Sequence, residues 1–357
     1  MKRFDIAVIP GDGIGREVVP AGCTILDTVA DVHGGFRLRY KSYPWSCAWY
    51  LKHGKMMPDD GLQRIGDSDA IYLGAVGFPG VADHISLWGL LIPIRRGFQQ
   101  YACVRPVKLL PGVRSPLAGR GPQDIDFIVV RENNEGEYSS MGGRIYSETP
   151  HEVVTQLNLF TRRGTERIIR YAFNLARRKK RRKVTSATKS NGIIFSMPFW
   201  DEVFWQVAKD YPGIAAEQMH IDALSARFVT HPQNFGVVVG SNLFGDILTD
   251  LGAAIAGSIG IGASANLNPE KKFPSMFEPV HGSAPDIVGK GIANPLGQVW
   301  SGAMMLEHLG QAAAADLIVK SMSSVLASGI KTPDLGGRAS TRQVTAAVAK
   351  EIRRFAR

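Results

Sequence analysis

MKRFDIAVIPGDGIGREVVPAG, residues 1–22, is the stretch on which the fold turns. Ile6 to Ile9 form an apolar run of strand character, and glycines stand at 11, 13 and 15. An amphipathic segment follows over about 15–32, so the order is strand, tight turn, helix. A dinucleotide cradle would read G-x-G-x-x-G at this junction. Here the spacing is G-x-G-x-G, with Pro10 and Asp12 inside the loop. A carboxylate facing a pyrophosphate is repulsive. No acidic residue closes a second strand about 20 positions on, as such a cradle requires; Asp31 falls in the helical segment. The glycines therefore read as a tight turn, where backbone angles that other residues resist are needed.

The alternation continues along the chain. Apolar runs at 6–9, 71–76, 126–130 and 236–240 read as buried strands. Amphipathic segments near 15–32, 164–178, 200–209 and 301–310 read as helices. That pattern predicts an α/β fold with helices packed on a sheet. Near the C-terminus Ser340 or Thr341 can cap a helix whose Val344, Val348, Ile352 and Phe355 share one face. Gly and Pro clusters near 111–122 and 260–270 read as loops or boundaries.

Bulk properties set the limits. A chain of 357 residues suits two domains with an ample core. The start MKRF leads into no long apolar run, so no secretory signal is expected. No stretch reaches the about 18 apolar residues of a spanning helix, so no membrane partner is expected. Cys23, Cys47 and Cys103 are odd in number and scattered, which predicts free thiols and a cytoplasmic location. The net charge of +10 owes most to seven consecutive basic residues, Arg177 to Lys183. Such a run could contact nucleic acid. No aromatics interleave it, and Ile168, Ile169, Ala172, Phe173 and Ala176 form an apolar face just before it. It reads instead as the solvated C-terminal end of a helix, where cations suit the dipole. No nucleic-acid partner is expected.

The chemistry concentrates in a few places. In SNLFGDILTD (241–250), Asp246 and Asp250 are four apart, on one face of a helix within apolar surroundings. Two hard oxygen ligands without nearby Cys or His suit Mg2+ or Mn2+, and Asp222 in HID offers a third. Solvated helix carboxylates are the plainer alternative. Arg95 and Arg105 lie ten apart, and Arg131 ends a strand (DFIVVRE). Arginine forks match carboxylates two bonds at a time, so three of them beside a dication suit a small di- or tricarboxylate. RENNEGEY places Tyr138 seven residues beyond Arg131, and SATKSNG places Lys189 in a small polar loop, where it could act as a base.

IPGDGIGRE, the paired arginines ending in RP, RENNEGEY, ATKSN, GDILTD and EPVHGSAPDIVGKGIANP occur in order along nearly the whole chain. In this the sequence resembles the β-decarboxylating dehydrogenases, which act on isopropylmalate, isocitrate, homoisocitrate and tartrate or D-malate. PWSCAWYLKHGKMMPDD and DHISLWGLL resemble the tartrate/D-malate branch. The resemblance implies an isopropylmalate dehydrogenase-like fold of two domains sharing one sheet, with a non-Rossmann NAD site. One domain would be discontinuous, 1–102 plus 257–357; the other, 103–256, would carry an arm near 139–160. Glu278, His281, Gly282, Ser283, Ala284, Asp286 and Asn294 would surround the cofactor. Asp286 favours NAD, because a carboxylate accepts from ribose hydroxyls and repels a 2′-phosphate.

On the substrate side the resemblance implies that Arg95, Arg105 and Arg131 clamp the carboxylates and that Asp222, Asp246 and Asp250 hold Mn2+ or Mg2+. Lys189 would remove the hydroxyl proton, and Tyr138 would protonate the enol carbon after CO2 leaves. Lys189 and Asp222 would reach the neighbouring subunit's site, so a homodimer is implied; close relatives suggest K+ as well. The substrate would be a small 2-hydroxy dicarboxylate, D-malate or tartrate, with 3-isopropylmalate as the alternative. The stretch SLWGLLIPI bears on that choice. It is one residue longer than the isopropylmalate pattern, lacks its acid, and offers bulky Leu87 and Trp88, which argue for a small side group.

Overall fold

A computed structural model describes residues 1–356. The strand Lys2–Gly11 turns into the helix Gly15–His33 as the opening stretch predicts. Gly11 and Gly13 have φ of +71° and +53°. A Cβ on Gly11 would lie 2.0 Å from the Ala75 carbonyl oxygen, and one on Gly13 would lie 2.0 Å from that of Ser283. These glycines allow strand and loop to approach closely. Asp12 is 2% exposed and accepts from the backbone N–H of Cys47 at 2.9 Å and of Gly77 at 3.2 Å. Its carboxylate thus supports the start of the helix Cys47–His53 and pins the loop after the strand Ala70–Ala75.

Ten strands form one sheet. From one edge the order is Phe36–Ser42, Lys2–Gly11, Ala70–Ala75, Ser275–Pro279, Ala263–Leu267, Ala102–Lys108, Asp126–Glu132, Val237–Gly240, Lys183–Thr188 and Ala215–His220. Pairings are parallel in the two wings and antiparallel among the four central strands. The chain enters the second wing at Ala102–Lys108 and returns at Ala263–Leu267. The helices Gly15–His33, Leu296–His308, Ala312–Ala327 and Thr341–Phe355 pack against one another over the first wing. Wing strands such as Ala70–Ala75 and Val237–Gly240 are buried throughout, as parallel strands covered on both faces must be. A hairpin, Gly142–Ile145 with Val153–Gln156, projects from the second wing.

The α/β class is as the sequence predicts, and two local expectations shift. The stretch 260–270, read as a loop, contains the fully buried strand Ala263–Leu267. Its small residues carry little apolar signal, and one of the two strands that flank it, Ala102–Lys108, is distant in sequence. The helix expected near 301–310 is Leu296–His308, whose Leu296 N–H is taken by the Asn294 side chain at 3.0 Å. Ser340 caps the helix Thr341–Phe355 in a reciprocal capping box with Gln343. The three cysteines are free. Among the described residues, no helix is long and apolar enough to cross a membrane.

Candidate active site

The central strands deliver the arginines. Arg131 lies at the end of Asp126–Glu132, and Arg105 lies on the adjacent antiparallel strand. The helix Asn242–Ile255 sets Asp246 and Asp250 one turn apart against them. A Cβ on Gly245 would sit 2.5 Å from that of Arg131, so the glycine lets the helix close on the strand. Arg131 pairs with Asp246 and donates to Asn242 Oδ1 at 2.6 Å. Arg105 lies 3.5 Å from Asp246 and 3.7 Å from Asp250. Arg95 comes from the helix Ile92–Gly97 and pairs with Glu278 at 2.7 Å. All three guanidiniums are buried, and Arg95 Nε has no partner among the described residues.

The charges respond to this burial. Desolvation is the largest influence on Asp246 and pushes its carboxyl up, but Arg131, Arg105, the Tyr138 hydrogen bond and Arg95 outweigh it, leaving the carboxyl below its ordinary value. Asp250 is displaced upward, chiefly by burial. Tyr138 Oη donates to Asp246 Oδ2 at 2.9 Å, and the Arg131 guanidinium lies 5.3 Å from its ring centre. Burial and then the Asp246 charge raise the phenol. Glu137 fixes the Tyr138 loop, accepting from Leu243 N–H at 3.0 Å and Ser241 Oγ at 2.7 Å at the start of the aspartate-bearing helix. Behind the cluster, burial raises the Glu132 carboxyl to about 7.

Lys189 and Asp222 form a second, separate group. Lys189 follows the strand Lys183–Thr188, and Asp222 opens the helix Ile221–Thr230. Their ion pair is 3.1 Å, with the Asp222 side chain 67% exposed. The Lys189 hydrogen bond lowers the Asp222 carboxyl. Among the described residues, no three His, Cys, Asp or Glu side chains form one metal-sized cluster. One chain therefore brings Asp246 and Asp250 together but leaves Asp222 apart.

The stretch EPVHGSAPDI borders the arginine cluster. Glu278 accepts from both Arg95 and Asn266, each at 2.7 Å. His281 is buried, its Nδ1 lies 3.0 Å from the Gly282 carbonyl, and its Nε2 has no partner. Burial holds its imidazole below the ordinary value. Gly282 and Asp286 are exposed, a Cβ on Gly282 would meet open space, and Ala284 has φ +42°. Ile14 N–H donates to the Ser283 carbonyl at 2.9 Å, so the opening turn holds this loop. Asn294 donates to Asp334 Oδ2 at 2.9 Å, and Ser258 donates to the same oxygen at 2.7 Å. Asp334 escaped the sequence reading; its only local signal is an acid inside the turn TPDLGG.

The basic run is largely accounted for within the chain. Lys179 pairs with Glu307, Arg181 with Asp126, and Lys183 with Glu217. Arg177 and Arg178 lie over the rings of Tyr211 and Tyr171.

Comparison with known proteins identifies the family. The isocitrate/isopropylmalate dehydrogenase family model matches residues 5–351. The chain is 57% identical over 361 residues to D-malate dehydrogenase [decarboxylating] of Escherichia coli (strain K12), covering 99% of this chain and 100% of that one. It is 55% identical over 356 residues to a probable tartrate dehydrogenase/decarboxylase of Bacillus subtilis (strain 168), with 99% of each covered. Isocitrate dehydrogenase from Methylococcus capsulatus superposes with a TM-score of 0.88 at 35% identity, over 99% of this chain and 100% of that one.

Proposed function

We propose that this chain, which belongs to the isocitrate/isopropylmalate dehydrogenase family, uses NAD and a divalent metal to oxidise and decarboxylate a small 2-hydroxy dicarboxylate. D-malate, giving pyruvate and CO2, and tartrate are the substrates the reading favours. One observation carries it: three buried arginines face three carboxylates, Asp246, Asp250 and Glu278. Adding a dication leaves two positive charges over, which a dicarboxylate dianion neutralises. The unpartnered Arg95 Nε is a buried donor of the kind such a substrate satisfies.

The donor set fits both groups. Asp246 and Asp250 are hard oxygen ligands suited to Mn2+ or Mg2+, with Asp222 as the third ligand. The partnerless His281 Nε2, the open Gly282 and the exposed Asp286 fit a nucleotide, with Ser283, Ala284, Asn294 and Glu278 around it. When bound, the metal polarises the hydroxyl and its adjacent carboxylate, and NAD accepts the hydride. Arg95, Arg105 and Arg131 orient the carboxylates. Lys189 takes the hydroxyl proton. Tyr138, whose raised phenol stays protonated near neutrality, returns a proton to carbon after CO2 departs.

The separation of Lys189 and Asp222 from Asp246 supports a site completed by a second copy of the chain. So does the exposed apolar surface of the projecting hairpin, including Ile145, Val153 and Val154, and of Phe195 at 85% exposure. The division of the sheet into two wings supports the reading of two domains, 1–102 plus 257–357 and 103–256 by sequence, with the substrate cleft between them. Bulky Leu87 and Trp88 favour a small substrate side group over an isopropyl group.

The test is NADH formation with NAD, Mn2+ and K+, comparing D-malate, L-tartrate, 3-isopropylmalate and isocitrate. Turnover favouring D-malate or tartrate is expected. Preference for 3-isopropylmalate would overturn the substrate assignment while leaving the residue roles standing.

A further inference from the structure

The stretch SLWGLLIPI takes a definite form. The helix Asp83–Ser86 widens into one π-turn, Leu87–Leu91, before resuming as Ile92–Gly97. Ile92 N–H reaches back five residues to the Leu87 carbonyl. Pro93 has no N–H to continue an α-helical ladder and its ring would crowd the preceding turn, so a wide turn just before it is the local solution. Gly89 fits the bend, since a Cβ there would lie 2.7 Å from Met56 Cγ.

The wide turn changes which side chains meet. In an α-helix, residues eight apart lie about 80° apart around the axis. Taking up one residue in the wide turn brings such a pair to within about 20°. Trp88 and Arg96 are such a pair, and the Arg96 guanidinium carbon lies 5.0 Å from the centre of the Trp88 ring. Arg96 Nη2 also donates to the main-chain carbonyl of Tyr138 at 2.5 Å. One guanidinium thus joins the segment that argues for a small substrate side group to the loop carrying the tyrosine. Tyr138 is then held at three points: its hydroxyl by Asp246, its ring by Arg131 and its carbonyl by Arg96. A planar fork can stack and donate at once, which a lysine cannot.

We propose that Arg96 is a positioning residue that suspends the Tyr138 loop from Trp88, so that the phenol is aligned for proton return only while Trp88 is seated on the guanidinium. The inference rests on the role given to Tyr138 above.

The test is steady-state kinetics of the full-length enzyme on the dicarboxylate it turns over best, with Arg96→Met, Arg96→Lys, Trp88→Leu and the double variant Trp88→Leu/Arg96→Met. Arg96→Met is expected to lower kcat by about 30-fold with KM within about threefold, because small misplacements of a reacting group cost up to about 100-fold. Arg96→Lys, which keeps a donor for the Tyr138 carbonyl but cannot stack on Trp88 at the same time, should recover kcat only in part, to about tenfold below wild type. Trp88→Leu should slow the wild-type background but add little to Arg96→Met, because the two act through one contact. If Arg96→Met fails to fold, Arg96→Lys compared with Trp88→Leu carries the same test. Wild-type kcat in both Arg96 variants, or effects that multiply independently, would overturn the proposal alone. Full activity in Tyr138→Phe, which keeps the main-chain acceptor, would overturn it through its premise. A wild-type enzyme silent on every dicarboxylate would overturn the functional reading and the proposal with it.

Discussion

Two regions of the candidate site are built in opposite ways. The arginine cluster is buried and cross-paired, with each guanidinium held by a carboxylate from a distant part of the chain. The Lys189–Asp222 pair lies at a strand end and a helix start, with the aspartate mostly in solvent. Burying a charge demands a partner in the same chain, whereas an exposed pair is free to exchange its partner for another. Under the proposed function, the contrast is that of a protomer that finishes its anion-binding half and leaves its proton-taking half open to a second copy.

The largest effect should come from the closed half. Asp246→Asn removes the proposed metal ligand and the counter-ion of Arg131, and leaves Tyr138 only a neutral amide as acceptor. We expect kcat/KM to fall by about 1,000-fold or more, read as NADH formation. Lys189→Met should lower kcat by about 100-fold while leaving the melting temperature unchanged, because an exposed pair contributes little to stability. Mixing these two inactive proteins, unfolded and refolded together, sharpens the comparison. If each site draws on two chains, a random mixture should recover about a quarter of wild-type activity, since half of the dimers carry one intact site of two. No recovery would mean that each chain completes its own site.

Glu132 probes the buried half through stability. Its carboxyl is raised from 4.5 to about 7 in the folded chain, principally by burial. Below 4.5 both folded and unfolded states hold the proton. Between 4.5 and about 7 only the folded state keeps it, so the unfolded state binds fewer protons and stability falls as pH rises. Glu132→Gln removes this titration. Its melting temperature relative to wild type should rise by a few degrees across that window and level off above it. A difference independent of pH would contradict the assignment. The smallest effect is expected at the basic run: Arg177→Gln, Lys180→Gln and Arg182→Gln together should leave turnover within about twofold.

Much of this was legible in the sequence because the signals are local. An apolar run, close-set glycines and an amphipathic segment specify strand, turn and helix within 33 residues. Asp246 and Asp250 are one helical turn apart, so their shared face follows from spacing alone. Ser340 and Gln343 likewise announce a helix start. The strand Ala263–Leu267 was not legible, because its small residues become core only when the remote strand Ala102–Lys108 pairs with one of its edges and Ser275–Pro279 with the other. Nor was Asp334, whose links to Asn294 and Ser258 span 40 and 76 residues.

The sequence by itself determined the alternation of strand and helix and the identity of the charged side chains, since each is fixed by order and spacing along the chain. Only the tertiary structure decided that the opening glycines serve close packing, that Asp12 supports a neighbouring helix, and that Leu87–Leu91 forms a wide turn seating Trp88 on Arg96. The reason is physical. Steric closeness, burial and the pairing of charges depend on which segments share space, and one-dimensional spacing reports that only within a turn or two of helix.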